Sequence, residues 1–176
     1  MNSALTFTGS PYTSFMHETK VTLSNGIELH VEIGGKPEHP AIMLIMGLGA
    51  QLLFWPDFFC KSLIDQGYRV IRFDNRDIGL SSKIRHSGPR LNTFKLMGRF
   101  ALGLENQGAP YNLYDMAEDA ALLIDHLELD NVSVLGASMG GMIAQILAAK
   151  HPQKVSNLWL MFTSNNQPLL PPPFPK

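Results

Sequence analysis

The chain has 176 residues, of which 45% are hydrophobic and 16% are charged. This composition excludes an intrinsically disordered protein, a charged tail and a coiled coil, and the length fits a single domain. Fourteen Lys and Arg residues against fifteen Asp and Glu residues give a net charge of −1, which argues against a nucleic-acid-binding protein.

Three features of the sequence indicate the cellular compartment of the protein. Cys60 is the single cysteine, so no intramolecular disulfide can form and a reducing compartment is favoured. The first fifteen residues lack the charge and apolar run of a signal peptide. The longest apolar run, Ala41–Met46, is far shorter than the roughly 20 residues that span a bilayer. We therefore expect a cytoplasmic protein with no membrane or nucleic-acid partner.

The first elements in chain order are strands. Residues 20–23 and 27–32 have strand patterns, and Asn25-Gly26 between them predicts a hairpin. Residues 41–46 form an unbroken apolar run that ends at Gly47, as in a strand buried on both faces of a parallel sheet.

Helices and strands alternate in the rest of the chain. A helix is predicted over residues 56–66, because Pro56 suits a first turn and Gly67 a stop. Asn112 is a candidate N-cap with Asp115 at the third helical position. The further predicted elements are strand 68–73, helix 112–127, strand 132–135, a helix from about 141 to 150, and a buried strand over 158–162.

The order of these elements predicts an α/β fold. Strands that alternate with helices form a mostly parallel sheet with helices on both faces, here preceded by an antiparallel hairpin. Chemistry in such sheets lies at the carboxyl ends of the strands. The segments that follow those ends are residues 47–50, 74–81, 136–140 and 163–167.

The sequence Gly136-Ala137-Ser138-Met139-Gly140 carries the clearest chemical signal. It matches the G-x-S-x-G nucleophile elbow, and it lies between a predicted strand and a predicted helix, as that motif requires. Small residues two positions before and after the serine allow the backbones to approach, and the turn exposes the hydroxyl. Ser138 is therefore the predicted nucleophile, with the backbone N–H of Met139 as one oxyanion donor. A glycine-rich packing turn is the non-catalytic alternative.

A second glycine-rich turn, Met46-Gly47-Leu48-Gly49, follows the strand expected beside that of Ser138. Taken together with the elbow, it predicts that the backbone N–H of Leu48 is the other oxyanion donor. Gly47 and Gly49 would support this turn as Gly136 and Gly140 support the elbow. A simple strand-to-helix turn is the alternative.

These two turns, together with the segment Asp74-Asn75-Arg76-Asp77-Ile78-Gly79-Leu80-Ser81, resemble the α/β-hydrolase fold superfamily. The resemblance extends from about Val21 to Phe162 and is strongest to the aclacinomycin methylesterase-like branch, although Met46 departs from the common His-Gly pattern. It implies a serine hydrolase without cofactor or metal, and a structural role for residues 74–81.

The partners that a serine nucleophile needs are missing from the rest of the chain. In this fold an acid and then a histidine follow the serine, yet no Asp or Glu follows Ser138 and the only later histidine is His151. His151 ends the helix that leaves the elbow, so it is rejected as the base. His17, His30 and His39 lie in or near the hairpin, His126 lies near a helix end, and His86 is interpreted as a surface-loop histidine.

Residues 1–162 are accordingly predicted to be the N-terminal part of a hydrolase core, truncated after about the sixth strand, and 163–176 the proline-rich start of a cap. The last strand would then be an edge strand through which the chain could self-associate. The predicted function is hydrolysis of a small carboxylic ester or related acyl bond, with the chain inactive alone. The alternatives are a non-catalytic binding or interaction module, or a cofactor-free peroxidase or acyltransferase.

Overall fold

A computed structural model of the chain describes residues 8–9, 15–84 and 110–165. Seven strands form one sheet in the order β1-β2-β3-β5-β4-β6-β7. The strands are β1 (Thr8–Gly9), β2 (Met16–Thr22), β3 (Glu28–Gly34), β4 (Ala41–Ile45), β5 (Arg69–Phe73), β6 (Val132–Ala137) and β7 (Val155–Met161). The α-helices are α1 (Asp57–Asp65), α2 (Leu113–His126) and α3 (Met139–Lys150), and a 3₁₀ turn covers Leu52–Phe54.

The sheet combines an antiparallel start with a parallel centre. Strands β1, β2, β3 and β5 pair antiparallel in succession, whereas β5, β4, β6 and β7 are parallel. The predicted turn between β2 and β3 is confirmed: the backbone N–H of Gly26 donates to the Leu23 carbonyl, and Gly26 has a φ of 84°. The predicted mixed α/β fold is confirmed, with the two-residue strand β1 as an unpredicted addition.

Two apolar cores lie on opposite faces of the sheet. Helices α2 and α3 cover one face, where Met43, Ile45 and Phe73 pack among their side chains. Helix α1 and the segment before it cover the other face, where Trp55 and Cys60 pack against Ile42, Leu44 and Val70. Every residue of β4 is buried, so the prediction of a strand buried on both faces is also confirmed.

Helix α2 begins at the predicted cap. The Asn112 side chain accepts hydrogen bonds from the backbone N–H groups of Tyr114 and Asp115, at 2.7 and 3.3 Å. Asp115 accepts in return from the Asn112 N–H at 2.7 Å, which completes a capping box. This cap fixes the start of the helix that carries Asp119, the partner of the loop after β5.

Strand β7 differs from its predicted burial. Its apolar composition suggested a buried strand over residues 158–162, but Trp159, Leu160, Met161 and Phe162 are 45%, 43%, 39% and 90% exposed. Among the described residues β7 pairs only with β6, so its other edge and much of its surface stay open. Apolar side chains favour burial, but they become buried only where another helix or strand packs against them. The expectation that this strand lies at the sheet edge is confirmed.

None of the helices in the described ranges is long and apolar enough to cross a membrane. The predicted proline-rich segment after residue 162 lies mostly outside the described residues, which end at Asn165. The same holds for His86, which falls in the gap between residues 84 and 110.

Candidate active site

Ser138 lies at the junction between β6 and α3, in a strained backbone conformation. Its φ is 54° and its ψ is −123°, outside the regions that L-residues favour. The residue is exposed and stands directly before the first residue of the helix, Met139. The turn therefore presents the hydroxyl at the carboxyl end of the sheet, beside N–H groups that a helix leaves without intrahelical partners.

The glycines of the elbow permit this turn because a side chain at either position would strike backbone. A methyl group at Gly136 would lie 2.6 Å from the Cα of Gly141 and closer to the Gly140 carbonyl. One at Gly140 would lie 2.8 Å from the Met46 carbonyl oxygen and closer to that of Ile45. The backbones at both glycines are thus too close for a side chain, which is the steric reason predicted for the G-x-S-x-G spacing.

The predicted second turn, Gly47–Ala50, lies against the nucleophile. A methyl group at Gly47 would come within 3.0 Å of the Ser138 Cβ and 3.4 Å of its Oγ. The Ala50 N–H donates to the Gly47 carbonyl at 3.3 Å, and Gly49 has a φ of 71° that favours glycine. Leu48, with its side chain 77% exposed, is part of this turn. The structure brings Gly47 and Ser138 together, and the roles of the Leu48 and Met139 N–H groups stay predictions.

Neighbouring groups hold the strained backbone of Ser138 in place. The Ser138 N–H donates to the Met161 carbonyl at 2.9 Å, and its own carbonyl accepts from the Gly141 N–H at 2.9 Å. The hydroxyl of Thr163 also donates to the Ser138 carbonyl, at 2.7 Å. Sequence reasoning placed residues 163–167 at the functional edge of the sheet without assigning this role to Thr163. Its position after an apolar strand was the only available signal.

A buried histidine–carboxylate pair, absent from the sequence-based prediction, joins β3 to the loop after β5. His30 Nδ1 lies 3.0 Å from Asp74 Oδ2, and His30 Nε2 lies 2.9 Å from Glu18 Oε1. Burial opposes the charged imidazole, but the hydrogen bonds and negative charges of Asp74 and Glu18 outweigh it and raise the pKa of His30.

The pKa of Asp74 shifts in the complementary direction. Burial opposes the carboxylate, but hydrogen bonds from His30 and from the backbone N–H groups of Leu52 and Leu80 lower its pKa. The two directions together favour a charged His30–Asp74 pair. The sequence pattern places His30 only in the hairpin, and no local pattern shows that its strand lies beside β5.

The loop after β5 has the structural character predicted for residues 74–81. Arg76 forms a bidentate contact with Asp119 of α2, with both N···O distances at 2.6 Å. The Asn75 amide donates to the Met46 carbonyl at 3.0 Å, immediately before the Gly47–Ala50 turn. This loop therefore ties the carboxyl end of β5 both to a helix and to the turn beside Ser138.

A general base for Ser138 is missing from the described residues after it. His151 is the C-cap of α3, and Ser138 is its N-cap, so the helix separates them by about 18 Å along its axis. His151 instead lies 3.1 Å from Glu118 Oε2. No group of three or more His, Cys, Asp or Glu side chains in the described part of the chain could hold a metal ion.

The chain is similar to a known protein family and to several characterised or curated proteins. A family model described as alpha/beta hydrolase fold matches residues 40–175. Rhodomycin D methylesterase of Streptomyces peucetius is 30% identical over 143 residues, which are 81% of this chain and 41% of that protein. A poly(3-hydroxyalkanoate) depolymerase of Ectopseudomonas oleovorans is 30% identical over 138 residues, 78% of this chain and 40% of its own length.

The chain is also similar to a solved structure of a hydrolase. The crystal structure of a hydrolase from Pseudomonas aeruginosa superposes with a TM-score of 0.64 at 27% identity, covering 93% of this chain and 48% of that one. The chain thus spans about two-fifths of the length of the curated relatives named above.

Proposed function

The chain belongs to the α/β-hydrolase fold family, in its aclacinomycin methylesterase-like branch, and on this premise we propose that it carries the nucleophile of a serine hydrolase acting on small carboxylic esters or related acyl compounds. The observation that supports this most is the strained backbone of the exposed Ser138, at a strand-to-helix turn and against Gly47. The esterase names of relatives such as rhodomycin D methylesterase agree with an acyl substrate.

The proposed reaction follows from these groups. Ser138 Oγ attacks the acyl carbon, and the carbonyl oxygen becomes an oxyanion held by the N–H groups of Leu48 and Met139. The bond to the alcohol then breaks, and the alcohol leaves with the proton that a base has taken from the Ser138 hydroxyl. Water hydrolyses the acyl-serine, which releases the carboxylic acid and restores the hydroxyl. Both steps need a base for proton transfer, and this chain offers none after Ser138 except His151 at the far end of α3.

We therefore expect the 176-residue chain to turn over p-nitrophenyl acetate negligibly. Loss of triad members costs several powers of ten in rate. Added imidazole should replace part of the missing base and produce hydrolysis that depends on Ser138. The measurement is the difference in p-nitrophenolate release between the chain and its Ser138→Ala variant at each imidazole concentration, which subtracts catalysis by imidazole itself.

The two possible failures of this experiment have different meanings. Turnover as fast as that of a complete hydrolase without imidazole, and lost in Ser138→Ala, would overturn the claim that the base is missing. Equal rates in the two proteins at every imidazole concentration would contradict the hydrolase proposal and favour the alternative, a non-catalytic interaction module that retains the elbow for packing. A cytoplasmic location stays a prediction that rests on the single cysteine, on the first fifteen residues and on the shortness of the longest apolar run.

Within the described part of the chain, the edge of β7 that faces away from β6 has no strand partner, and this supports a proposal about association. We propose that a second copy of the chain pairs antiparallel along β7, because such pairing is self-complementary and would cover Trp159 and Leu160. Sedimentation velocity should detect a dimer that Trp159→Lys converts to monomer. Phe58→Lys removes a 75% exposed apolar side chain on α1 and should leave the dimer unchanged. A monomeric unsubstituted chain would contradict the proposal.

A further inference from the structure

We infer that Asn75 is a positioning residue for the Gly47–Ala50 turn, whereas Asp74 holds the segment that follows this turn. The inference deepens the proposed function and rests on it, because it concerns the turn that would hold the oxyanion. Asn75 and Asp74 are consecutive residues at the carboxyl end of β5, and both are buried, with 2% and 3% of their surface exposed.

Asn75 holds the beginning of the turn. Its Nδ2 donates to the Met46 carbonyl oxygen at 3.0 Å, and that carbonyl belongs to the peptide whose N–H is that of Gly47. Rotation of this peptide would move Gly47, which lies against Ser138, and would redirect the N–H of Leu48. Without Asn75 this carbonyl would lose its side-chain hydrogen bond, so the amide favours one orientation of this peptide.

Asp74 holds the segment that follows the turn. Its Oδ1 accepts from the Leu52 N–H at 2.8 Å, and Leu52 is the first residue of the 3₁₀ turn that follows. Its Oδ2 accepts from the Leu80 N–H at 3.0 Å and lies 3.0 Å from His30 Nδ1. The carboxylate therefore has contacts on three sides, and the His30 pair keeps it charged and oriented.

The strand order explains why Asn75 lies beside the start of the turn and Asp74 beside the segment after it. Strands β4 and β5 are parallel neighbours, so the residues after β5 lie beside the residues after β4. Arg76, the next residue, points to Asp119 of α2 instead. Arg76 therefore anchors the loop to a helix, Asn75 holds the turn beside the nucleophile, and Asp74 holds the segment after that turn.

The test uses the full chain with Ser138→Cys, whose thiolate can react without the missing base. Acylation by p-nitrophenyl acetate develops an oxyanion: the sulfur bonds to the acyl carbon and p-nitrophenolate leaves. Alkylation by iodoacetamide displaces iodide at a saturated carbon and develops no oxyanion. A residue that positions the turn should affect the first rate and not the second, whereas a general loss of structure would change both.

We expect Asn75→Ala in the Ser138→Cys background to slow acylation roughly tenfold or more while leaving alkylation within about twofold, because displaced oxyanion donors cost rate steeply. Asn75→Leu fills the space of the asparagine side chain without a hydrogen-bond donor, and it should change the two rates as Asn75→Ala does. It keeps the test valid if the alanine variant destabilises the fold. Ser62→Ala is the matched control, since that hydroxyl also donates to a backbone carbonyl, that of Phe58 within α1, at 2.7 Å.

Unchanged acylation in both Asn75 variants, or equal slowing of acylation and alkylation, would overturn the assignment. Failure of the Ser138→Cys parent to be acylated would overturn the proposed function, and this assignment with it. The two failures are distinguishable because the first appears only in the Asn75 variants and the second already appears in the parent.

Discussion

Gly140→Ala is expected to destabilise the chain by about 3 kcal/mol or more, because the added methyl group would overlap backbone atoms that cannot move independently. The methyl carbon would lie 2.6 Å from the carbonyl carbon of Ile45 and 2.8 Å from the Met46 carbonyl oxygen. The first atom belongs to the last residue of strand β4, and the second belongs to the peptide that joins Met46 to Gly47. A domain typically has about 5–15 kcal/mol of stability, so this loss removes a large share of it.

The control for this steric effect is Gly67→Ala. An added methyl group at Gly67 meets nothing within 4 Å, although Gly67 has a φ of 86° that alanine adopts only at a cost of about 1–2 kcal/mol. Urea unfolding followed by circular dichroism measures both losses. A larger loss in Gly140→Ala than in Gly67→Ala, or no cooperative transition at all, supports the close approach of α3 to β4. Equal losses would contradict it.

Ser138→Cys is expected to form one stable acetyl-cysteine per chain when treated with p-nitrophenyl acetate. A thiol at the start of a helix has a lowered pKa, so part of it is thiolate at neutral pH and needs no adjacent base. Deacylation still requires a base to activate water, so the acyl form should accumulate. Cys60 should not interfere, because burial raises the pKa of its thiol to about 11.

The sequence predicted those features of the structure that depend on residues close together along the chain. The spacing of Gly136, Ser138 and Gly140 predicted the elbow because close approach of strand and helix excludes side chains at both glycines. Asn112 and Asp115 predicted the start of α2 because an N-cap and an acid in the first turn are local signals, and the structure joins the two residues in a capping box.

Contacts between distant segments could not be predicted in the same way. His30 and Asp74 are 44 positions apart and meet only because β3 pairs with β5. Nothing in the local pattern of either residue specifies that strand order. The Asn75 contact with Met46 has the same origin, since it depends on β5 lying beside β4.

The burial of β7 marks a further limit of sequence reasoning. Residues 158–162 have the apolar composition of a covered strand, but Phe162 is 90% exposed among the described residues. Composition reports how much a segment gains from burial, whereas actual burial depends on an element that packs against it.

The measurement that tests the central claim most directly compares acylation of Ser138→Cys with that of Ser24→Cys, by intact mass after exposure to p-nitrophenyl acetate. Ser24 is exposed in the hairpin turn, far along the chain from the elbow, and provides a thiol without a helix N-terminus or oxyanion donors. A nucleophile site at residue 138 predicts one acetyl group per chain, formed roughly a hundredfold faster than at residue 24. Equal acylation rates at the two positions would contradict it.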